Sequence, residues 1–351
     1  MHAVRIKQHG GLEVLRLEKI PDPSAGPLEV RIRVQAAGLN HLDLWVRRGV
    51  PGHHFPLPIT PGSDATGIID QIGSGVTGLH EGDAVVVAPG LSCGLCPRCL
   101  AGDDHLCRQY GILGESCDGT NAPFLVLPAR NVLVRPTCLD PDQAAAFALT
   151  FLTAWHMLVA RARIQPGEWV LIHAAGSGVS SAAIQIARLK GARVIATAGT
   201  TEKLRRATAL GAKFAVNYNT GDLGRKIRDL MGKRRVDVVL DHVGTNTFGR
   251  SIKLLARGGR YVFCGATSGF DLRADFRPLF FKNISILGST MGSLAELATI
   301  RELVEDGLLE PTLDRVLPLE QVAQAHALLE QRQVFGRVVL RMKDPPPGGA
   351  T

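Results

Sequence analysis

The chain has 351 residues, 45% hydrophobic and 21% charged, and a formal net charge of +8. That length is typical of two globular domains, and no apolar run is long enough to predict a membrane-spanning helix. The first residues, MHAVRIKQHGG, lack the apolar core of a secretory signal, so we expect a cytoplasmic protein. The positive net charge would favour binding of nucleic acid or of phosphorylated small molecules. The tightest basic cluster, Lys233–Arg234–Arg235, is interpreted as a solvated loop.

The first 145 residues are rich in predicted strands. EVRIRVQAAGLN alternates apolar and polar positions, as a half-buried strand does. ATGIIDQIG and GDAVVVAPG are short apolar runs bounded by Gly, Asp and Pro. This part of the chain is therefore predicted to be a β-rich domain.

Four cysteines then follow the spacing C-x2-C-x2-C-x7-C, at Cys93, Cys96, Cys99 and Cys107. Gly94 and Pro97 let this short loop fold back so that the thiolates converge. Four cysteines form a closed, structural zinc site, whereas a disulfide arrangement, the alternative, is disfavoured in a cytoplasmic chain. The other three cysteines, Cys117, Cys138 and Cys264, are interpreted as small packed residues.

From Trp169 onward, β-branched runs alternate with helical patterns, which predicts a doubly wound parallel sheet. The runs are WVLIH, RVIAT, VDVVLD, RYVFCG and ISILG. SLAELATIRELVEDG then predicts a helix and GRVVLRM a strand. The tail, residues 344–351, is rich in Pro and Gly and is expected to be disordered.

The segment WVLIHAAGSGVSSAAIQIARLKGA predicts strand, tight turn and helix. The turn holds small residues, which allow a pyrophosphate to approach the helix N-terminus. The dinucleotide fingerprint G-x-G-x-x-G is degenerate here, with Ala175, Ser177 and Ser180 at the glycine positions. An ordinary strand–helix turn is the alternative to a nucleotide site.

The next predicted strand ends at Ala198, where NAD-preferring folds carry an acid for the ribose 2′-hydroxyl. Lys203 and Arg206 follow within two helical turns and could pair with a 2′-phosphate. They could equally face solvent on an amphipathic helix. We expect NADP in preference to NAD.

The cysteine spacing resembles the structural zinc lobe of the zinc-type, medium-chain alcohol dehydrogenases, and the resemblance extends along nearly the whole chain. It implies an α/β protein with a GroES-like barrel at residues 1–149 and 288–343 and a Rossmann domain at residues 150–287. It also implies a set of cofactor-binding residues: Thr153, Gly176, Ser177, Gly178, Val179, Gly199, Thr200, Lys203, Tyr218, Val243, Gly265 and Ala266.

The family's catalytic zinc ligands are replaced in this chain. The resemblance aligns Asn40, Ser63 and Leu149 with the three ligands, and Leu42 with the hydroxyl proton relay. This pattern resembles the zinc-free quinone oxidoreductase branch, in which NADPH reduces a conjugated carbonyl compound.

Asn40, His41 and Asp43 are the candidate catalytic residues in such a site. A developing oxyanion needs hydrogen-bond donors, which Asn40, His41 or water could supply. His41 could instead hold the pyrophosphate, Asn40 could be a turn residue, and Asp43 could cap local backbone.

The expected function is an NAD(P)H-dependent quinone or enone reductase with one structural zinc. One alternative is an alcohol dehydrogenase whose atypical metal is held by His41, Asp43 and Asp64. Another is a crystallin-like or RNA-binding protein, although the low aromatic content makes nucleic acid an unlikely partner. NISILGSTM predicts the last strand of the nucleotide sheet. Because an exposed apolar edge invites pairing, we expect a homodimer or homotetramer.

Overall fold

The computed structural model describes residues 1–343, so the predicted disordered tail lies outside the described residues. The strands are β1 (His2–Arg5), β2 (Arg16–Lys19), β3 (Glu29–Gly38), β4 (Asp64–Ile72), β5 (Ala84–Val87), β6 (Gly90–Leu91), β7 (Gly111–Ile112), β8 (Phe124–Pro128), β9 (Val132–Val134), β10 (Trp169–Ile172), β11 (Arg193–Ala198), β12 (Phe214–Asn217), β13 (Val236–Asp241), β14 (Leu255–Phe263), β15 (Ser285–Gly288), β16 (Leu313–Pro318) and β17 (Arg337–Arg341).

The α-helices are α1 (His41–Arg48), α2 (Pro97–Leu100), α3 (Pro141–Ala144), α4 (Ala148–Trp155), α5 (Gly178–Leu189), α6 (Thr201–Ala209), α7 (Leu223–Met231), α8 (Thr245–Leu254), α9 (Arg277–Phe281), α10 (Leu294–Glu305) and α11 (Val322–Glu330). A π-helical segment, His156–Arg161, continues α4. No helix in the described part of the chain is both long and apolar enough to cross a membrane.

The chain divides into two compact units. One contains Met1–Leu149 and residues 293–343, and the other is Thr150–Gly292. Residue 288, at which the sequence suggested a return to the first domain, is the last residue of β15, and the second unit continues to Gly292.

The first unit is built on a mostly antiparallel sheet with the order β16-β17-β3-β4-β5-β9, to which β8 adds by pairing with β3. Apolar side chains on one face of β3 alternate with partly exposed ones, and Val30, Ile32 and Val34 lie in the core. This pattern confirms the predicted half-buried strand. The register aligns the end of β3 with the start of β4, since Gly38 is opposite Asp64, and β17 flanks β3 on the other side.

The second unit contains a six-stranded, fully parallel sheet with the order β12-β11-β10-β13-β14-β15. This is the doubly wound dinucleotide-binding order 3-2-1-4-5-6, which confirms the predicted Rossmann sheet. The strand β10 is buried at every residue, as a central parallel strand should be. The strand β15 lies at the outer edge of the sheet.

Candidate functional site

Three strand ends of the first unit bring Asn40, Asp64 and Arg337 into one buried network. The Arg337 Nη2 lies 2.5 Å from the Asp64 Oδ2, and the Arg337 Nη1 donates to the Asn40 Oδ1. The Asn40 Nδ2 donates to the same Asp64 oxygen at 3.0 Å. The side chains of Arg337 and Asp64 are only 4% and 1% exposed, so their charges compensate each other away from water.

Gly38 makes room for this network. A Cβ atom at this position would lie 2.6 Å from the Arg337 Nη2 and 2.1 Å from the carbonyl oxygen of Ala145. No side chain fits there without moving the backbone of Ala145 or the guanidinium. The end of β3 is therefore shaped around the buried arginine.

Asp43 joins two backbone segments beside the network. Its Oδ2 accepts the N–H of Asn40 at 2.6 Å, which caps α1, and its Oδ1 accepts the N–H of Gly62 at 3.0 Å. The side chain is fully buried. Burial raises the pKa of Asp43 to about 7, although the two N–H donors and nearby Arg337 favour the ionised form. This geometry corresponds to the capping alternative.

The residues that the resemblance aligns with the catalytic zinc ligands, Asn40, Ser63 and Leu149, all make hydrogen bonds within the fold. Both amide hydrogens of Asn40 are used, on Asp64 and, at 3.4 Å, on the carbonyl oxygen of Gly38. The hydroxyl of Ser63 donates to the Leu113 carbonyl at 2.8 Å. The Leu149 backbone N–H donates to the second oxygen of Asp64 at 2.8 Å.

An amide, a donating hydroxyl and a leucine do not form a zinc-ligand set. The residues at these three positions therefore do not fit the catalytic metal that the resemblance implies. In the alternative set, Asp43 and Asp64 already use both of their oxygens. The third member, His41, is exposed, and its ring lies edge-on to Trp45 at 5.4 Å.

The four cysteines of the lobe do converge, as the sequence predicted. Their sulfur atoms all lie within 4.8 Å of one another, and three of the separations are 3.5, 3.6 and 3.8 Å. A tetrahedral zinc about 2.3 Å from each sulfur requires separations of about 3.8 Å, so the set fits this ion. Among residues 1–343, no other group of three or more His, Cys, Asp or Glu side chains could hold a metal.

The backbone favours a thiolate at Cys93. N–H groups of Leu95 and Cys96 lie 3.5 and 3.3 Å from the Cys93 sulfur, and they lower the pKa of Cys93 to about 6. Gly94 has a φ of +74°, and a Cβ there would lie 2.1 Å from the Arg130 Nη1. Arg130 donates to the backbone carbonyls of Ser92 and Cys93, which ties the start of this loop to the segment that precedes β9.

The second unit carries the nucleotide turn between β10 and α5. Ala174 adopts a φ of +50°, and Ser177 caps the helix by accepting the N–H of Ser180 at 3.1 Å. The predicted residues Gly176, Ser177, Gly178 and Val179 therefore lie at the N-terminal end of a 12-residue helix. Such an end attracts phosphate through its dipole and unpaired N–H groups.

Most of the other predicted cofactor residues lie after neighbouring strands of the same sheet. Gly199 and Thr200 follow β11, Tyr218 follows β12, Val243 follows β13, and Gly265 and Ala266 follow β14. Lys203 is on α6, and Thr153 is buried on α4. Because parallel strands end at one edge of a sheet, the post-strand residues share the ligand-binding edge of this fold.

The chain matches known oxidoreductases along both units. Residues 26–137 match the alcohol dehydrogenase GroES-like domain, and residues 178–306 match the zinc-binding dehydrogenase domain. Quinone oxidoreductase from Rattus norvegicus is 31% identical over 97% of each chain. Crotonyl-CoA carboxylase/reductase from Cereibacter sphaeroides is 31% identical over 94% of this chain and 84% of its own length. A solved NAD-dependent alcohol dehydrogenase is 52% identical, covers 98% of this chain and all of its own, and superposes with a TM-score of 0.94.

The chain belongs to the zinc-binding dehydrogenase family. It is an NAD(P)-dependent oxidoreductase with a GroES-like domain and a Rossmann-type sheet, as the sequence predicted.

The sequence analysis did not identify two side chains of the candidate site, Arg337 and His242. Arg337 is 297 positions away from Asn40, so spacing could not connect them. The sequence did contain one indication of its role. Arg337 begins the apolar run RVVL, which is buried, and a buried charge needs a buried partner. His242 contacts the nucleotide turn, and it followed a buried strand without any motif to distinguish it.

Proposed function

We propose that this dehydrogenase reduces conjugated carbonyl compounds, such as quinones, enones or enoyl thioesters, with hydride from NAD(P)H and without a catalytic metal. The observation that carries the proposal is the replacement of a metal-ligand set by the Asn40–Asp64–Arg337 network. An alcohol must lose a hydroxyl proton, which zinc normally assists, whereas a conjugated acceptor spreads charge as hydride arrives.

Asn40 and Asp43 act in this proposal as positioning residues. Their polar atoms hold Arg337, Asp64 and the Gly62 backbone, and both side chains are buried. Of the three candidate residues, His41 is the exposed one, at the start of α1. Hydrogen-bond donation to the developing enolate or quinol oxygen would then come from His41 or from water.

Zinc, when bound by Cys93, Cys96, Cys99 and Cys107, supplies structure rather than chemistry, because four thiolates leave no open position. We propose one such ion per chain. The thiols must be reduced to bind it, which supports a cytoplasmic location.

We propose NADPH as the preferred reductant. The acid nearest the end of β11 along the chain, Glu202, is paired with Arg205 at 2.8 Å. The second unit, Thr150–Gly292, contains 22 Lys and Arg residues but only 8 Asp and Glu residues. This excess of positive charge creates a positive electrostatic potential, which favours binding of the additional 2′-phosphate. NAD is the competing choice, and the name of the solved relative at 52% identity favours it.

The exposed edge of the Rossmann sheet supports a homodimer, or a tetramer built from two dimers. β15 exposes Ile286, and Phe276, Phe280 and Phe281 in the preceding segment are 71%, 60% and 64% exposed. A second copy that pairs with β15 would cover an apolar edge that is otherwise prone to aggregation.

The test of the function is NADPH oxidation by a quinone, an enone and a crotonyl thioester, before and after a strong chelator. We expect turnover to survive while the lobe zinc is retained. Complete loss of activity with intact fold and lobe zinc would favour the second candidate, an alcohol dehydrogenase, which the solved relative's name also supports.

A further inference from the structure

His242, immediately after β13, lies against the nucleotide turn. Its Nε2 lies 3.0 Å from the Ser177 Oγ and 3.0 Å from the Ser180 Oγ. β13 is the neighbour of β10, so the ends of the two strands bring the imidazole to the start of α5. The ring keeps part of its surface accessible to solvent.

The hydrogen-bond network determines which nitrogen carries the proton. The hydroxyl of Ser180 donates its only hydrogen to the His173 carbonyl at 2.7 Å. The Ser180 oxygen can therefore only accept from His242, which requires a hydrogen on Nε2. The same Nε2–H lies within reach of the Ser177 oxygen, which also accepts the Ser180 backbone N–H.

This arrangement leaves the hydroxyl hydrogen of Ser177 with one weak acceptor, the Ser180 Oγ at 3.5 Å. The lone pairs of the Ser177 oxygen face His242 and the backbone N–H of Ser180. The Ser177 hydroxyl hydrogen can therefore turn towards a ligand at the N-terminus of α5. A phosphate oxygen is the acceptor that such a position attracts.

We propose that His242 is a positioning residue of the dinucleotide site: it fixes Ser177 as a donor to the pyrophosphate and takes up a proton when the pyrophosphate binds. The proposal rests on the nucleotide site of the family and is independent of the substrate class proposed above.

The surroundings of His242 determine the sign of this linkage. Desolvation lowers the pKa of His242, and the neighbouring Asp241 and the ring's own backbone carbonyl raise it. Around Asp241 lie His173, Tyr261 and Cys264, and Arg250 faces His173. A pyrophosphate adds negative charge and raises the pKa further in the complex. Affinity should therefore be highest below the free pKa and fall as the pH rises through the bound one.

The experiment measures NADP⁺ binding to the full-length protein by calorimetry between pH 5.5 and 8.5, in buffers of different ionisation enthalpy. We expect the wild type to take up a proton on binding within this pH range. His242→Ala should weaken binding about tenfold, the size of one lost hydrogen bond. His242→Gln, which keeps an N–H donor, should bind within about threefold at pH 8 but take up no proton.

Ser177→Gly provides the coupling test, because glycine is nearly as good a helix N-cap as serine. If His242 acts through Ser177, the double variant should bind no more weakly than Ser177→Gly alone. His80→Gln, in an exposed loop position, is the matched control and should change neither affinity nor proton uptake.

Additive losses in the double variant, unchanged affinity in His242→Ala, or proton uptake retained by His242→Gln would each overturn the proposal. Circular dichroism of every variant separates a folding defect from lost binding. If the wild type binds neither NADP⁺ nor NAD⁺, the nucleotide assignment itself fails, and this outcome is distinct from a failure of His242. Loss of quinone or enone turnover with normal NADP⁺ binding would count against the substrate class alone.

Discussion

Arg337 and Asp64 form a buried ion pair, 2.5 Å between Nη2 and Oδ2, and Asp64 directly follows Ser63, one of the positions that the family resemblance aligns with a zinc ligand. A fixed guanidinium thus supplies the positive charge that the carboxylate needs in the interior. Removing one partner of such a pair leaves an uncompensated charge, which costs far more than removing both.

Arg337→Met is therefore expected to lower the free energy of unfolding by roughly 3–5 kcal/mol. Urea denaturation measures this loss. The double variant Arg337→Met, Asp64→Asn should recover much of it, since the remaining groups are neutral. Arg205→Met is the matched control, because Arg205 and its partner Glu202 are 71% and 63% exposed and such a surface pair is worth little. Equal losses for Arg337→Met and Arg205→Met would show that the buried pair has no special energetic role.

A second prediction concerns the pH dependence that Asp43 imposes on stability. The pKa of this carboxyl rises from 3.8 to about 7 on folding, because burial disfavours the charged form. Its contribution is fully present below the unfolded pKa and is lost as the pH rises through the folded value. The stability of the wild type relative to Asp43→Asn should therefore decline between pH 4 and pH 7 by a few kcal/mol, at about 1.4 kcal/mol for each pKa unit.

Urea unfolding of both proteins at pH 4.5, 6 and 8 gives this difference directly. A difference that is constant over the range would mean that Asp43 stays ionised in the fold, held by the N–H groups of Asn40 and Gly62.

The metal content follows from the convergence of four sulfurs. One zinc per chain is expected by elemental analysis, and Cys96→Ser should lower both the zinc content and the unfolding temperature. Cys138→Ser, at an exposed cysteine outside the lobe, should change neither. Two zinc ions per chain would contradict the single site.

The cysteine lobe was predictable from the sequence, whereas the network around Arg337 was not. The lobe lies within fifteen consecutive residues, so spacing alone predicted that Cys93 and Cys107 meet. The strands of the Rossmann sheet were likewise visible as local apolar runs. Asn40, Asp64 and Arg337 meet only because β3 pairs with β4 and β17, and such long-range register is not written in any local pattern. The same limit applied to His242, which joins Ser177 through the adjacency of two parallel strands.

Cofactor preference yields the next prediction. Lys203→Gln should raise the Michaelis constant for NADPH about tenfold and leave that for NADH unchanged, if the ammonium pairs with the 2′-phosphate. Ala198→Asp should favour NADH, because a carboxylate accepts the 2′-hydroxyl and repels a phosphate. Ala198 is buried, so unfolding temperatures must accompany its kinetics. Lys213→Gln, an exposed lysine outside α6, serves as control. A wild type that binds NADH at least tenfold more tightly than NADPH would reverse the assignment.

The last prediction concerns the aromatic surface beside β15. Phe280 and Phe281 lie side by side, with ring centroids 4.5 Å apart, and both are mostly exposed. If a second copy covers them, Phe280→Asp should place a charge in an apolar interface and shift the protein to monomer.

Light scattering at micromolar concentration should therefore report a dimer or tetramer for the wild type and a monomer for Phe280→Asp. Leu95→Asp is the matched control, because Leu95 is 82% exposed on the cysteine lobe and should leave the assembly intact. A wild type that is monomeric, or a Phe280→Asp variant that keeps its assembly, would show that this aromatic surface is not the subunit contact. A charge among fully buried partner atoms cannot be hydrated, so an intact interface could not tolerate it without a measurable loss of affinity.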